Sequence, residues 1–288
     1  MLDITALFCS VDDFWKNFKL NWHQKHLTYK SPRGPKCGLN MSEIMTILIL
    51  FHQSNFRTFK HFYLFIYEKY KNEFPKMPCY SRFVALQKAA FIPLFAYLYH
   101  ARGKITGISF IDSTVIKVCH IKRCYSNKVF RGIAKKGKST TGWFFGLKLH
   151  LVVNEKGEIL SFQITPGNTS DISPVKTLTK GLWGKIFGDR GYISSKLFHD
   201  LMKQNLQLIT KIRNNMKNKL MDICDKLLLR KRSIIETIND QLKNISQIEH
   251  TRHRSPGNFL INLISGLIAY CHQKKKPSLK LFHRSLIA

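Results

Sequence analysis

Apolar residues recur at helical spacing over the first 100 residues of the chain, which predicts a series of short helices. The clearest begins at Asn40, which has the sequence pattern of a capping box with Glu43, and continues to Phe51. The other expected segments are an amphipathic stretch from Val11, a basic loop over 30–36, helices over 58–70 and 82–90, the second capped by Ser81, and a stretch to Tyr99 that Pro93 interrupts. Residues 1–100 are therefore predicted to form an all-helical domain, either a helix-turn-helix-like DNA-binding domain or a platform that packs on the second domain.

From residue 105 the pattern changes to period two, which is typical of β-strands. An apolar strand from 108 ends at Asp112, and β-branched residues then continue it or turn. Further strands are predicted over 143–153, 158–165, 185–189 and 206–211, and helices over 174–180, 194–204, 222–248 and 256–273, with a basic linker over 213–219. This order predicts an α/β fold compatible with a ribonuclease-H-like mixed sheet flanked by helices over residues 101–275, followed by a basic tail over 276–288.

Positive charge is in large excess, with 47 Lys and Arg against 17 Asp and Glu and a net charge of +30. Such a chain repels itself unless a polyanion neutralises it, and nucleic acid is the usual partner. The seven cysteines are scattered and odd in number, which indicates a reducing cytosol. Cys119, His120 and Cys124 lack a second Cys/His pair at zinc-finger spacing. We therefore expect a globular nucleic-acid-binding protein of the cytoplasm, with no signal peptide and no membrane span.

Acidic residues are scarce after residue 100, where only eleven occur. Glu155 and Glu158 fall in a predicted hairpin turn and Asp171 in a loop before a helix, where polar residues are expected. Asp112 and Asp189 differ because each ends a predicted strand. Two such carboxylates on neighbouring strands could share a divalent cation, and a third acid from a helix would complete a two-metal site of the kind used on phosphodiesters.

The third carboxylate is sought on the long predicted helix. Glu236 is the leading candidate because Arg232 lies at i−4 and Lys243 at i+7, so all three fall on one stripe. A surface ion pair between Arg232 and Glu236 would explain the same spacing without any function. Asp240 and Asp225 are the alternatives.

Five motifs occur in order: I-S-F-I-D at 108–112, G-W-F-F-G-L-K-L-H-L at 142–151, P-G-N-T-S-D at 166–171, G-D-R-G-Y at 188–192 and R-x3-E-x6-K at 232–243. Over residues 100–275 the chain thereby resembles the DDE transposases of bacterial insertion sequences. The resemblance implies that Asp112, Asp189 and Glu236 are catalytic acids that bind two Mg²⁺ ions, which Mn²⁺ can replace. It also implies that Arg232 and Lys243 are the basic partners of the third acid.

The resemblance further implies a reaction and its partners. The reaction is hydrolysis of strands at transposon ends, followed by attack of the freed 3′-hydroxyl on target DNA, with no covalent protein–DNA intermediate. The expected partner is double-stranded DNA, both terminal inverted repeats and target, bound by a dimer in the bacterial cytoplasm at the nucleoid. Leu229 departs from the largest subgroup, in which a Tyr stands three residues before the Arg.

Residues 132–139 also fit the phosphate-binding-loop pattern G-x4-G-K-[ST]. That loop needs a helix directly after it, whereas the residues that follow predict a strand. We interpret Lys135, Lys136 and Lys138 as a basic loop that contacts DNA, together with Arg190. The alternative function is DNA binding without catalysis, which explains the charge and the helices but not three acids in a basic body.

Overall fold

The computed structural model describes residues 3–25, 38–140, 142–212, 220–249 and 253–279. Its contacts divide the chain into a helical unit, Met1–Ala101 with Leu242–Gln273, and a sheet unit, Arg102–Gln241 with Lys274–Ala288. The division falls close to the predicted boundary at residue 100. The basic loop over 30–36, the linker over 213–219 and the tail from residue 280 lie outside the described residues.

The helical unit begins with five α-helices: α1 (Ile4–Lys25), α2 (Met41–Gln53), α3 (Phe59–Lys69), α4 (Tyr80–Leu86) and α5 (Phe91–His100). The capping pattern at the start of α2 is present, because the backbone N–H of Asn40 donates to Glu43 Oε2 at 2.6 Å. In α1 the carboxylate of Asp3 accepts from the backbone N–H of Ala6, so this helix begins well before the predicted Val11.

Two predicted helix boundaries in this unit were wrong. The cap of α4 is Cys79, and Ser81 lies inside the helix. Pro93 does not interrupt its segment, because it is the third residue of α5. A proline is tolerated in the first turn, where a backbone N–H would have no partner within the helix.

Six strands of the described residues form one mixed sheet: β1 (Ile108–Cys119), β2 (Lys135–Ser139), β3 (Gly142–Asn154), β4 (Ile159–Pro166), β5 (Gly184–Gly188) and β6 (Leu206–Thr210). β3 pairs antiparallel with β1 on one edge and with β2 and then β4 on the other. β1, β5 and β6 run parallel to one another. The fold class is therefore confirmed, as a ribonuclease-H-like mixed sheet flanked by helices.

The sheet corrects two further predictions. β1 continues for seven residues beyond Asp112, so this carboxylate lies within a strand and not at its end. The predicted basic loop at Lys135–Lys138 is strand β2, which pairs with the first residues of β3. A strand, not a helix N-terminus, thus carries the Gly-Lys-Ser of the phosphate-loop pattern.

Four α-helices belong wholly or mostly to the sheet unit: α6 (Val175–Leu178), α7 (Ser195–Met202), α8 (Ile223–Arg230) and α9 (Ser233–Asn244), the last of which ends in the helical unit. The predicted helix over 222–248 is thus two helices. At the break, Ile234 and Ile235 donate to the carbonyls three residues before them, as in a tight 3₁₀ turn. α8 buries Leu229 and α9 buries Ile235 and Ile238, so packing overrides the continuous helical pattern.

The last helix, α10 (Pro256–Cys271), packs on α2 and α5. Pro256 starts it, at the position where a helix best tolerates proline. The sequence pattern predicts this segment as part of the domain over 101–275, whereas its contacts group it with the helical unit. The division of the chain falls within α9, between Gln241 and Leu242. Across the described ranges no helix combines the length and apolarity needed to cross a membrane.

Two glycines of the sheet unit are required by space. A Cβ on Gly146 of β3 would lie 2.1 Å from the carbonyl oxygen of Ile116 on β1. A Cβ on Gly167, just after β4, would lie 2.7 Å from the carbonyl oxygen of Lys135 and from the ring of Phe144. Backbone atoms cannot move aside as flexible side chains do, so both positions require glycine.

Candidate active site

Asp112 and Asp189 are brought together by the register of two parallel strands. Phe110 of β1 pairs with Phe187 of β5, and their rings stack with centroids 5.5 Å apart. Asp112 and Asp189 each lie two residues farther along, so they project from the same face as the two rings. Asp189 follows β5 directly and has an extended backbone. The sheet thus presents both carboxylates at the point where β5 ends.

Helix α9 and the residue before it complete the surroundings of Asp112. Arg232 Nη2 lies 2.6 Å from Glu236 Oε1, and its Nη1 lies 3.9 Å from Asp112 Oδ1. Asn239, three residues after Glu236, donates from Nδ2 to Asp112 Oδ2 at 3.1 Å. Glu236 and Asn239 of α9 and the adjoining Arg232 therefore all lie on the side of Asp112.

The environment of Asp112 disfavours its charge. Burial raises the pKa of Asp112 to about 6, opposed chiefly by the nearby cation of Arg232 and by the backbone N–H of Ser113. The negative charges of Glu236 and Asp189 raise this pKa further. The charges of Glu236 and Asp189 thus reach Asp112, and a divalent cation bound there would offset this repulsion.

The ligand atoms that this site offers are of the type that binds a hard divalent cation. Asp112, Asp189 and Glu236 supply carboxylate oxygens, which Mg²⁺ and Mn²⁺ prefer. Arg232 lies between two of them and neutralises both in part. Within the described ranges, no three Asp, Glu, His or Cys side chains converge closely enough to form a ready metal centre. Ion binding would therefore require Arg232 to give up its contacts with the acids.

Comparison with known families identifies the domain that carries this site. Residues 102–256, more than half of the chain, match the family model described as Transposase DDE domain. The chain belongs to this DDE transposase family. The curated proteins contain no significant match.

Two solved structures are similar to this chain at low identity. The first is a piggyBac transposase in a synaptic complex with hairpin DNA, with 9% identity and a TM-score of 0.49 over 92% of this chain and 72% of that one. The second is an intasome of simian T-cell lymphotropic virus in complex with the PP2A regulatory subunit B56 gamma, with 13% identity and a TM-score of 0.28 over 70% of each chain. Family membership rests on the family model and not on these similarities.

The other acids considered for the transposase site have different surroundings. Asp225 is buried on α8, and Lys185 Nζ lies 2.7 Å from its Oδ1, so a cation of the sheet already neutralises it. Asp240 is exposed on α9. Of the three candidates for the third carboxylate, Glu236 is the one joined to Asp112 through Arg232.

The basic residues predicted to contact DNA are spread over the domain. Lys135, Lys136 and Lys138 are exposed on β2, and Lys136 lies over the ring of Tyr125, whose hydroxyl accepts from its Nζ at 2.7 Å. In β3, the partner of Lys136 is six residues from the partner of Asp112, which is roughly 20 Å along the strand. These lysines therefore form a basic edge separate from the acids.

Arg190 and Lys243 also differ in their surroundings. Arg190 directly follows Asp189 and is exposed, so it lies at the end of β5 beside the acids. Lys243 lies two turns beyond Glu236, about 10 Å along α9. Its Nζ is 3.7 Å from Glu249 Oε2, within the helical unit.

A polar network next to Asp112 was missed in the sequence. Asp171, interpreted above as an ordinary loop residue, accepts from Ser113 Oγ at 2.8 Å and from Lys148 Nζ at 3.0 Å. Buried His150 lies beside it and contacts Thr165 Oγ1 through Nε2 at 2.8 Å. Burial lowers the pKa of His150 to about 4, so its ring is neutral at pH 7.

Sequence signals for these residues were present but weak. Ser113 and His150 are direct cross-strand partners, a relation that only the register reveals. Asn239 falls on the same helical stripe as Arg232 and Glu236, at i+7 and i+3, so this spacing could have indicated it.

Proposed function

We propose that this chain is the transposase of a bacterial insertion sequence, acting in the cytoplasm on double-stranded DNA. In this reaction it hydrolyses strands at the transposon ends and then directs the freed 3′-hydroxyl into target DNA. The observation that carries the proposal is that Asp112, whose pKa burial raises to about 6, also feels the negative charges of both Glu236 and Asp189. A purely structural carboxylate would gain nothing from two further acids beside it.

Asp112, Asp189 and Glu236 would hold two Mg²⁺ ions, for which Mn²⁺ can substitute. Bound divalent ions would activate the attacking water or hydroxyl and stabilise the leaving oxygen. Asn239 positions Asp112 through its hydrogen bond and fixes which carboxylate oxygen remains available.

Arg232 would serve two successive partners. In the free protein it neutralises Glu236 and Asp112. If these carboxylates held cations, Arg232 would lose its acidic partners and could donate two parallel hydrogen bonds to a DNA phosphate. The change couples occupation of the site to DNA contact.

Long-range attraction to DNA would come from the net charge of +30. Besides Arg232, the residues we propose to contact DNA are Lys135, Lys136 and Lys138 on the β2 edge, Arg190 after β5, and Lys243 on α9. The ends would be held by a dimer, and the helical unit would provide further DNA contacts.

The test is cleavage of DNA that carries the ends of the element encoding this chain, with Mg²⁺ or Mn²⁺. Asp112→Asn, Asp189→Asn and Glu236→Gln should each abolish cleavage and leave DNA binding nearly intact. Asp200→Asn is the control, since this residue lies on α7 and pairs with Lys176 at 3.9 Å. Near-normal cleavage by any of the three would exclude that residue as a catalytic acid.

A DNA-binding protein without catalysis is the second candidate. The contacts of Arg232 with both Asp112 and Glu236 favour it, because the guanidinium already partly neutralises the two carboxylates without an ion. Mn²⁺ titration of the metal-free protein separates the two functions. An enzyme should bind Mn²⁺ and lose this binding in Asp112→Asn, whereas a regulator should bind DNA equally with and without the ion.

A further inference from the structure

The helical unit contains a cavity of about 780 Å³. It is lined mainly by residues of α2, α3, α4 and α10, together with His253 and Arg254 just before α10. Small-molecule sites are typically about 300–1,000 Å³ in volume, so this cavity is large enough for a bound ligand. None of the acids of the candidate active site lines it.

The floor of the cavity carries polar groups on an otherwise apolar helix. Asn258, Asn262 and Ser265 of α10 follow one another at i, i+4 and i+7, so they share one face. Asn258 Oδ1, Asn262 Nδ2 and Ser265 Oγ are buried and have no hydrogen-bond partner among the described residues, and Ser265 is 0% exposed. Unpaired buried polar groups are costly, which argues that a ligand satisfies them.

These groups offer both hydrogen-bond acceptors and a donor, which is the chemistry needed to bind the edge of a base. An amide oxygen accepts and an amide N–H donates, and the two together match the donor and acceptor pattern on the edge of a nucleobase. Aromatic side chains line the same cavity: the ring centroids of Phe51 and Phe59 are 5.3 Å apart, and those of Phe59 and Tyr80 are 6.3 Å apart. Aromatic walls accept a base of any sequence through stacking.

The mouth of the cavity is suited to a phosphate. Lys60 and Arg254 are exposed at its rim. Thr58 is the N-cap of α3, and its buried Oγ1 has no hydrogen-bond partner within the described part of the chain. Two cations, a free hydroxyl and the positive end of an eleven-residue helix favour an anion there.

We propose that this cavity binds one nucleotide, with its base between the aromatic wall and the α10 amides and its phosphate at the mouth. The nucleotide is either free or part of a DNA strand, and in duplex DNA it must first leave the base stack. The DNA source rests on the proposed function, whereas the nucleotide chemistry does not. The polar atoms of α10 are buried whereas Lys60 and Arg254 are exposed, and such buried uncharged partners favour a base over an inorganic anion.

The experiment uses the full chain in EDTA and two kinds of ligand. Calorimetry compares the four deoxynucleoside monophosphates with inorganic phosphate. Fluorescence follows a duplex with 2-aminopurine opposite an abasic position, since an extruded base changes its emission on stacking. We expect nucleotides to bind at least tenfold more tightly than phosphate and the probe to respond on binding. Nucleotide binding without a probe response would assign the site to free nucleotides.

Two variants and a matched control test the residues. Asn262→Leu should keep or raise the melting temperature, because it removes an unpaired amide, and should weaken nucleotide binding by about tenfold or more. Ser265→Ala serves the same purpose if Asn262→Leu does not fold. Lys60→Ala should weaken binding by a similar factor through the phosphate. Lys69→Ala, on the same helix but outside the cavity, should bind normally.

Three outcomes would overturn the inference. They are no nucleotide binding, equal affinity for phosphate and nucleotides, and unchanged nucleotide affinity in both Asn262→Leu and Lys60→Ala. Asp112→Asn should bind nucleotides like the unmodified chain. A chain that binds nucleotides but cuts no DNA would therefore refute the proposed cleavage alone, and active cleavage without nucleotide binding would refute this inference alone.

Discussion

Asp112→Asn should stabilise the metal-free protein at neutral pH. Burial, only partly offset by Arg232, raises the pKa of Asp112 from 3.8 to about 6. At about 1.4 kcal/mol per pH unit, this difference makes the ionised form about 3 kcal/mol less favourable than in the unfolded chain. The side chain is 21% exposed, so solvent screening removes only part of this cost. Asparagine resembles the neutral form of the Asp112 carboxyl group and therefore avoids the cost of burying a charge.

The sign of the pH dependence follows from the same two values. Unfolded Asp112 loses its proton near pH 3.8, whereas in the folded protein it does so near pH 6. The folded state therefore holds more protons between these values, and the free energy of unfolding falls as pH rises through this window. The advantage of Asp112→Asn should be absent below about pH 4 and reach up to about 3 kcal/mol above about pH 6.

Urea unfolding at several pH values in EDTA measures this advantage directly. Excess Mg²⁺ should then restore stability to the unmodified chain, because it binds only the folded state, and should have little effect on Asp112→Asn. Asp200→Asn, on α7 with its carboxylate 3.9 Å from Lys176 Nζ of α6, should change stability by less than about 0.5 kcal/mol at every pH. Lower stability of Asp112→Asn at pH 8, or an equal advantage at pH 4 and pH 8, would refute a desolvated carboxylate at this position.

The remaining predictions concern metal binding, DNA binding and cleavage. Arg232→Ala should fold but cut DNA at least about tenfold more slowly, and Arg232→Lys should not restore the rate. Lys243→Ala should weaken DNA binding more than it slows single-turnover cleavage of bound DNA. Asn239→Ala should lower Mn²⁺ affinity by about 10- to 100-fold, measured by titration, with Thr237→Ala on the same helix as the unaffected control. In a binding assay, the logarithm of the DNA association constant should fall with the logarithm of salt concentration, with a slope of about −0.9 per neutralised phosphate. An affinity that stays constant between about 50 and 200 mM salt would remove the electrostatic basis for a DNA partner.

Local patterns predicted the parts of the site that depend on local structure. Asp189 directly follows an apolar strand, and the structure ends β5 one residue before it. The pairing of Arg232 with Glu236 followed from i, i+4 spacing, which persists even though Arg232 precedes α9. The role of these acids in catalysis stays a prediction.

Features that depend on distant contacts could not be predicted in this way. The strand character of Lys135–Lys138 arises from pairing with β3, because polar residues on an edge strand carry little apolar signal. Asp171 is polar in a loop, and only the register of β1 with β3 shows that Ser113 and Lys148 meet it. The grouping of α10 with the helical unit depends on packing against α2 and α5, to which sequence order gives no guide.

The lack of space for a side chain at Gly146 and Gly167 shows that a family motif can contain residues needed for structure as well as residues needed for chemistry. Both glycines belong to motifs that resemble those of DDE transposases, yet neither can bind a metal or a phosphate through a side chain. One added methyl group at Gly146 would push β3 away from β1, the strand that carries Asp112. A relative of this chain could therefore lose its chemistry through a single steric substitution while every acid remained in its sequence. Surveys that sort functional elements from relics by their acids alone would count such a chain as intact, and these two glycines supply a second criterion.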